Sequence, residues 1–218
     1  MDIKSFIEGN EKFRKKKFKK YEEKFIDLVN KGQKPKVLFI GCSDSRVLPH
    51  LITDTGPGDL FIVRNIGNFV PPFKPDEDYH ATAAAIEYAV SVLKVSDIIV
   101  CGHSHCGAIA ALYDKPEGIE MIHVRKWLEL GNEAKNYVEY KDETQNFTSA
   151  ERLQMTEKVS VMFQLSNLLT YPKIKEQVDE GKINLRAWYY KIESGDIEYY
   201  NEEQKDFVSM GIKIETSH

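Results

Sequence analysis

Three short runs along the chain are apolar at nearly every position: "PKVLFIGC" (35–42), "DLFIVRN" (59–65) and "SDIIVCGH" (96–103). Unbroken rather than alternating apolar runs predict strands of a parallel sheet covered on both faces. Between the second and third, apolar residues recur at helical spacing. "YHATAAAIEYAVSVLK" (79–94) puts Ala84, Ala85, Tyr88, Ala89, Val92 and Leu93 on one face, and "CGAIAALYD" (106–114) opens another helix. Two further helical stretches span 119–138 and 149–171, the second stopped or kinked by Pro172. The stretch 182–201 reads as two strands around a turn at Ser194-Gly195-Asp196. The expected fold is α/β, with a central, mostly parallel β-sheet, an antiparallel edge and flanking helices.

Ahead of the first strand lies an imperfect helical stripe of Ile3, Phe6, Ile7, Phe13 and Phe18. It predicts an amphipathic arm that needs a surface, either the chain's own core or another subunit. No repeat, low-complexity tract or long Pro/Gly/Ser linker divides the chain. The expectation is one domain: a helical arm over 1–33, a core over 34–201, and a tail or edge element over 202–218, with "GIKIE" (211–215) as a possible final strand.

Composition narrows the function. The 218 residues carry a net charge of −4, so nothing attracts nucleic acid to the molecule as a whole. The basic stretch "RKKKFKK" (14–20) is followed at once by "YEEKF" and reads as a solvated helix face. No apolar run approaches the roughly 18 residues of a membrane span, and the charged N-terminus lacks a signal-peptide core. A cytoplasmic protein is expected. Three cysteines, an odd number without an export signal, point to metal or thiol chemistry rather than a disulfide framework.

Those cysteines stand at informative places. Cys42 closes the first predicted strand; His103 and Cys106 close the third. Ligands of open α/β sheets gather beyond the carboxyl ends of the strands. Two thiolates and an imidazole suit Zn²⁺, and three protein ligands leave the fourth position open, as in catalytic sites. Cys101, inside the apolar run, reads as core; His105 is the rival ligand. Two thiolates cancel the charge of zinc, so water bound there is acidified less than beside three imidazoles. A nearby carboxylate kept ionised and off the metal would orient that water. Asp44 can serve, held by a bidentate Arg46. The alternative for this pair is a plain salt bridge in a turn.

The motifs "CSDSR" (42–46) and "GHSHCG" (102–107), about sixty residues apart, resemble the β-class carbonic anhydrases. "PGDLFIVRNIGNFVPP" (57–72), "AAIEYAV" (84–90) and "NLLTYP" (167–172) are similar to the family as well. The resemblance implies one zinc ion per chain on Cys42, His103 and Cys106, with Asp44 and Arg46 as the dyad beside it. It implies reversible hydration of carbon dioxide to bicarbonate and a proton, by attack of zinc-bound hydroxide. It also implies a homodimer whose arm lies across the partner, and in places a dimer of dimers. A pocket of Gln33, Phe61, Ile66, Tyr88 and Gly107 follows from the same matching, part of it contributed by the neighbouring subunit.

Gln33, nine residues before Cys42, and Phe39, where a switching kind of the family carries tryptophan, resemble the open-site kind found in plants and many bacteria. In that kind Asp44 stays with Arg46; Arg64 does not discriminate. Ala108 replaces a glycine common in relatives, and the loop around "KPDEDYH" is one residue longer than in some. His80 and His105 are candidate proton shuttles. Two alternatives keep the site: a hydrolase of carbonyl sulfide or carbon disulfide, and a catalytically silent, zinc-stabilised assembly protein.

Overall fold

The computed structural model describes residues 2–76, 78, 80–114 and 119–211. Six strands form one sheet in the order β2-β1-β3-β4-β5-β6. The strands are β1 (Val37–Cys42), β2 (Leu60–Asn65), β3 (Asp97–His103), β4 (Asn184–Tyr190), β5 (Ile197–Asn201) and β6 (Asp206–Ser209). The first four are parallel, and β5 and β6 add antiparallel to the β4 side. The predicted fold class is observed. The chain leaves β1 to one side for β2, returns to β3 on the other side, and goes on outwards to β4. The topology therefore reverses between β1 and β3, and a crevice opens beyond their carboxyl ends.

The helices are α1 (Ile3–Lys12), α2 (Lys19–Lys31), α3 (Pro49–Ile52), α4 (Ala81–Glu87), α5 (Gly107–Tyr113), α6 (Ile122–Leu128), α7 (Asn132–Gln145), α8 (Ser149–Leu168) and α9 (Pro172–Asp179). One face of the sheet packs Leu38, Ile40, Ile98 and Val100 against Ile86, Val90, Val161 and Leu168 of α4, α8 and their extensions. Full burial of each such side chain is worth roughly 1.5–3 kcal/mol. A capping box, Thr148 with Glu151, starts α8. Along it Thr156, Glu157, Ser160, Val161, Gln164 and Leu168 are all buried. Gly102 permits the close approach of α8 to β3: a Cβ there would stand 2.6 Å from Val161 Cγ2.

Several elements differ from expectation. The 119–138 stretch is two helices parted by a tight turn at Glu129–Gly131, and the second runs on to Gln145. Pro172 does more than stop α8. It occupies the first turn of α9, where a missing N–H costs nothing. β6 falls inside 202–218, read as tail or edge element, but ahead of the 211–215 segment expected to form such a strand, because Asp206–Ser209 finds a free edge on β5. The "GIKIE" element lies, beyond Gly211, outside the described residues, as does Tyr79 at the start of the 79–94 helix.

The arm is helical from Ile3 to Lys31: α1, a π-helical stretch at Phe13–Phe18 and α2 follow one another without a break. None of its described residues is buried. Tyr21, Phe25 and Leu28 lie against the segment around Gly56–Gly58. Lys24 pairs with Asp59 at 2.8 Å. Ile3, Phe6, Ile7, Ile26 and Val29 are exposed. The basic stretch is exposed too, save half-buried Phe18. Among the described residues no helix is long and apolar enough to cross a membrane.

Candidate metal centre

Parallel pairing of β1 with β3 brings their carboxyl ends side by side, and the turn after β3 returns Cys106 to the same point. Sγ of Cys42, a ring nitrogen of His103 and Sγ of Cys106 all lie within 4.8 Å of one another. The three side chains are buried, at 5%, 1% and 3% exposure. The His103 ring is oriented by its neighbour: Nδ1 donates to the Ser104 carbonyl at 2.9 Å. That leaves Nε2 as the lone-pair nitrogen, buried and without a hydrogen-bond partner. A buried imidazole lone pair facing two thiols is costly without a cation and suited to one.

The protons of this cluster are displaced as a set. A hydrogen bond from the Cys106 thiol, opposed by burial and helped by His103, lowers the Cys42 thiol to about 4. Cys106, which donates to that thiolate from a buried position, is pushed well up. For His103 burial favours the neutral ring, but the nearby Cys42 thiolate outweighs it and raises the pKa. The pair of thiols thus gives up one proton easily and holds the second. A metal ion displaces both. Cys101, fully buried and pushed up to about 12 by desolvation, is the inert core thiol that the sequence predicts.

Beside the cluster, Asp44 belongs to Arg46. Arg46 Nε donates to Oδ1 at 2.9 Å and Nη2 to Oδ2 at 2.8 Å, and the Arg46 backbone N–H adds a third bond at 2.9 Å. These bonds hold the Asp44 carboxyl far below the usual range, so it is ionised near neutral pH. Arg46 also donates to the His105 carbonyl at 3.0 Å, tying the two motifs together. Arg64 braces the turn from β2, donating to the carbonyls of Cys42 at 3.0 Å and Asp44 at 2.6 Å.

The carbonic anhydrase family model matches residues 37–197, a span that holds the whole cluster. The chain belongs to the carbonic anhydrase family. A carbonic anhydrase of Helicobacter pylori (strain J99) is 35% identical over 219 residues, covering 96% of each chain. One from Pseudomonas aeruginosa is 37% identical over 208 residues, covering 95% of this chain and 92% of its own. Among solved structures, the β-carbonic anhydrase CcaA superposes with a TM-score of 0.87 at 36% identity, over 97% of this chain and 93% of that one. A β-carbonic anhydrase of Sordaria macrospora, described as tetrameric, superposes with a TM-score of 0.77 at 31% identity, over 89% and 94%. The fold of this carbonic anhydrase is that of the β class.

The other expected site residues fall into separate places. Phe61 and Tyr88 pack ring to ring, with centroids 5.9 Å apart. Tyr88 and Ile66 are exposed, at 45% and 46%. Gly107 follows Cys106 at the start of α5. Gln33 lies apart, in a groove lined by Phe13, Phe25, Leu28, His50 and Gly58 that includes none of the three donors. Ala108 is buried against Gly67, where φ is +75° and an added Cβ would stand 2.9 Å from that of Ala108, which leaves room for no side chain. Phe39 is fully buried against Trp188. His105 is exposed, with Nε2 3.8 Å from Glu193. His80 is bound to Asp76 at 2.7 Å in a second exposed cluster with Asp78.

Sequence reasoning missed Glu157. It accepts the Cys106 backbone N–H at 2.9 Å and the Tyr189 hydroxyl at 2.6 Å, and is only 5% exposed. The sequence offers only a carboxylate on the buried face of α8 that continues to Val161, Gln164 and Leu168, with nothing to link it to Cys106.

Proposed function

We propose that this carbonic anhydrase hydrates carbon dioxide reversibly, with zinc held by Cys42 Sγ, His103 Nε2 and Cys106 Sγ. The observation that carries the reading is the buried, partnerless His103 Nε2 facing two thiols at the sheet's switch point. The donor set fits zinc: sulfur and imidazole ligands, three in number, leave one tetrahedral position for water. Bound there, zinc supplies Lewis acidity, which lets water attack carbon dioxide near neutral pH.

The chain's own groups do the rest. Asp44 is ionised and gripped by Arg46, which supports the open-site reading in which it stays off the metal. From there it accepts a hydrogen bond from the attacking oxygen and aims the remaining lone pair at carbon. Phe61, Ile66 and Tyr88 give an apolar wall suited to a substrate without a dipole. Gln33, in its separate groove, reaches a site only if a second copy supplies it, so we assign the working unit to a homodimer, open to further pairing. A reducing compartment, the cytoplasm, keeps the ligand cysteines as thiols.

Stopped-flow hydration of carbon dioxide tests this on zinc-loaded, chelator-stripped and reloaded protein. Activity is expected to follow zinc. Asp44→Ala is expected to keep its zinc and lose about 10²–10⁴ in rate. Zinc-loaded protein that turns over carbonyl sulfide or carbon disulfide but not carbon dioxide would overturn the assignment of substrate. No turnover of any of them would leave an assembly protein.

A further inference from the structure

We propose that Glu157 is a positioning residue for the metal centre, holding the third ligand, Cys106, through its backbone. The proposal rests on the reading that Cys106 ligates zinc.

Three elements meet at this one carboxylate. Glu157 comes from α8, the Cys106 N–H from the turn between β3 and α5, and the Tyr189 hydroxyl from β4. All three residues are buried: Glu157 at 5% exposure, Cys106 at 3% and Tyr189 at 0%. A buried N–H without an acceptor is strongly unfavourable, so this contact is a requirement of the turn rather than an ornament. Cys42 is held in the sheet by pairing with Asn65 of β2, and His103 by pairing with Tyr190 of β4. Cys106 has no such ladder. It lies three residues past β3, after His105, whose φ is +58°.

Glu157 therefore replaces the missing ladder. One carboxylate oxygen fixes the Cys106 nitrogen, and with it the direction of the Cα–Cβ bond and the sulfur. The second oxygen takes the Tyr189 hydroxyl, so the carboxylate cannot rotate away. α8 reaches this depth because Gly102 lets it sit against β3. Ligand geometry must hold to about 0.5 Å for a metal site to work, and outer partners of ligands typically affect metal affinity 10- to 100-fold.

The test uses full-length protein loaded with zinc or cobalt(II). Glu157→Met keeps the volume and removes the acceptor. It is expected to weaken zinc 10- to 100-fold in chelator competition and to shift the cobalt d–d and thiolate charge-transfer bands. Glu157→Gln still offers one carbonyl oxygen to the N–H and is expected to fall between wild type and Glu157→Met in both readouts. Tyr189→Phe is expected to shift them least. A merely structural role would lower thermal stability and leave the cobalt spectrum of the folded protein unchanged. Wild-type affinity and spectrum in Glu157→Met overturn the proposal. Should that variant not fold, wild-type behaviour in both Glu157→Gln and Tyr189→Phe overturns it. Absence of a thiolate charge-transfer band in the wild-type cobalt protein overturns the ligand reading itself.

Discussion

The carboxyl ends of β1 and β3 and the N-terminal helical arm are opposites in how the chain satisfies its own residues. At the strand ends the three donors are enclosed, and Cys42, His103 and Cys106 are each at most 5% exposed. Parallel pairing and a topology that reverses between the two strands force them together. Along the arm no described residue is buried, and Ile3, Phe6, Ile7 and Val29 are 61–82% exposed. The three donors of the first region all come from one chain. The second shows apolar surface that only another molecule can cover, and a second copy of the chain fits the expectation of a dimer.

Substitution at the enclosed end should have the largest consequences. Cys106→Ser is expected to abolish zinc binding and reduce carbon dioxide hydration to the uncatalysed background, read by metal analysis and stopped flow. Gly102→Ala, on β3 directly against α8, should destabilise the fold by about 1–3 kcal/mol in urea, because a methyl cannot fit against Val161 without displacing α8. Full stability in that variant would mean that the enclosure is looser than described.

The arm should respond differently. Phe6→Asp with Ile7→Asp is expected to leave chain stability within about 0.5 kcal/mol, as for other surface changes, while lowering the assembled mass in sedimentation. Unchanged mass would show that the exposed stripe is not an interface.

The smallest effect concerns the Lys24–Asp59 pair, which ties the arm to the body. The Lys24 ammonium, then the Gly56 N–H, lowers the Asp59 pKa. A lowered carboxylate contributes stability that is whole above its unfolded pKa of about 4 and is lost as pH falls through the folded one. Amide exchange in Lys19–Lys31 should therefore be constant from neutral pH down to about 4 and rise below it, after correction for intrinsic rates. Both partners are more than two-fifths exposed, at 43% and 42%, so the contribution is slight. Asp59→Asn should remove the dependence.

The same contrast explains what could be read from the sequence. The unbroken apolar runs translate directly into β1, β2 and β3; β1 and β3 are buried on both faces, which leaves no polar positions to confuse the period, while β2 is a half-buried edge strand. The grouping of Cys42, His103 and Cys106 was legible because all three stand at or just past strand ends. Glu157 was not: it lies fifty-one residues from Cys106, and only the packing of α8 on β3 brings them together. β6 was missed because an edge strand is selected by a free neighbour rather than by its own pattern. The break at Glu129–Gly131 was missed because both halves of that stretch keep helical spacing. Gln33 can be assigned to a pocket by resemblance, but its groove in one chain holds none of the donors.

The central claim is that Cys42, His103 and Cys106 hold zinc while Arg46 keeps Asp44 away from it. X-ray absorption at the zinc edge on the full-length protein near neutral pH tests this most directly. The expected first shell has two sulfurs at about 2.3 Å, one imidazole nitrogen near 2.0 Å and one light atom that survives Asp44→Ala unchanged. A shell with fewer than two sulfurs, or a light atom lost in that variant, would contradict it.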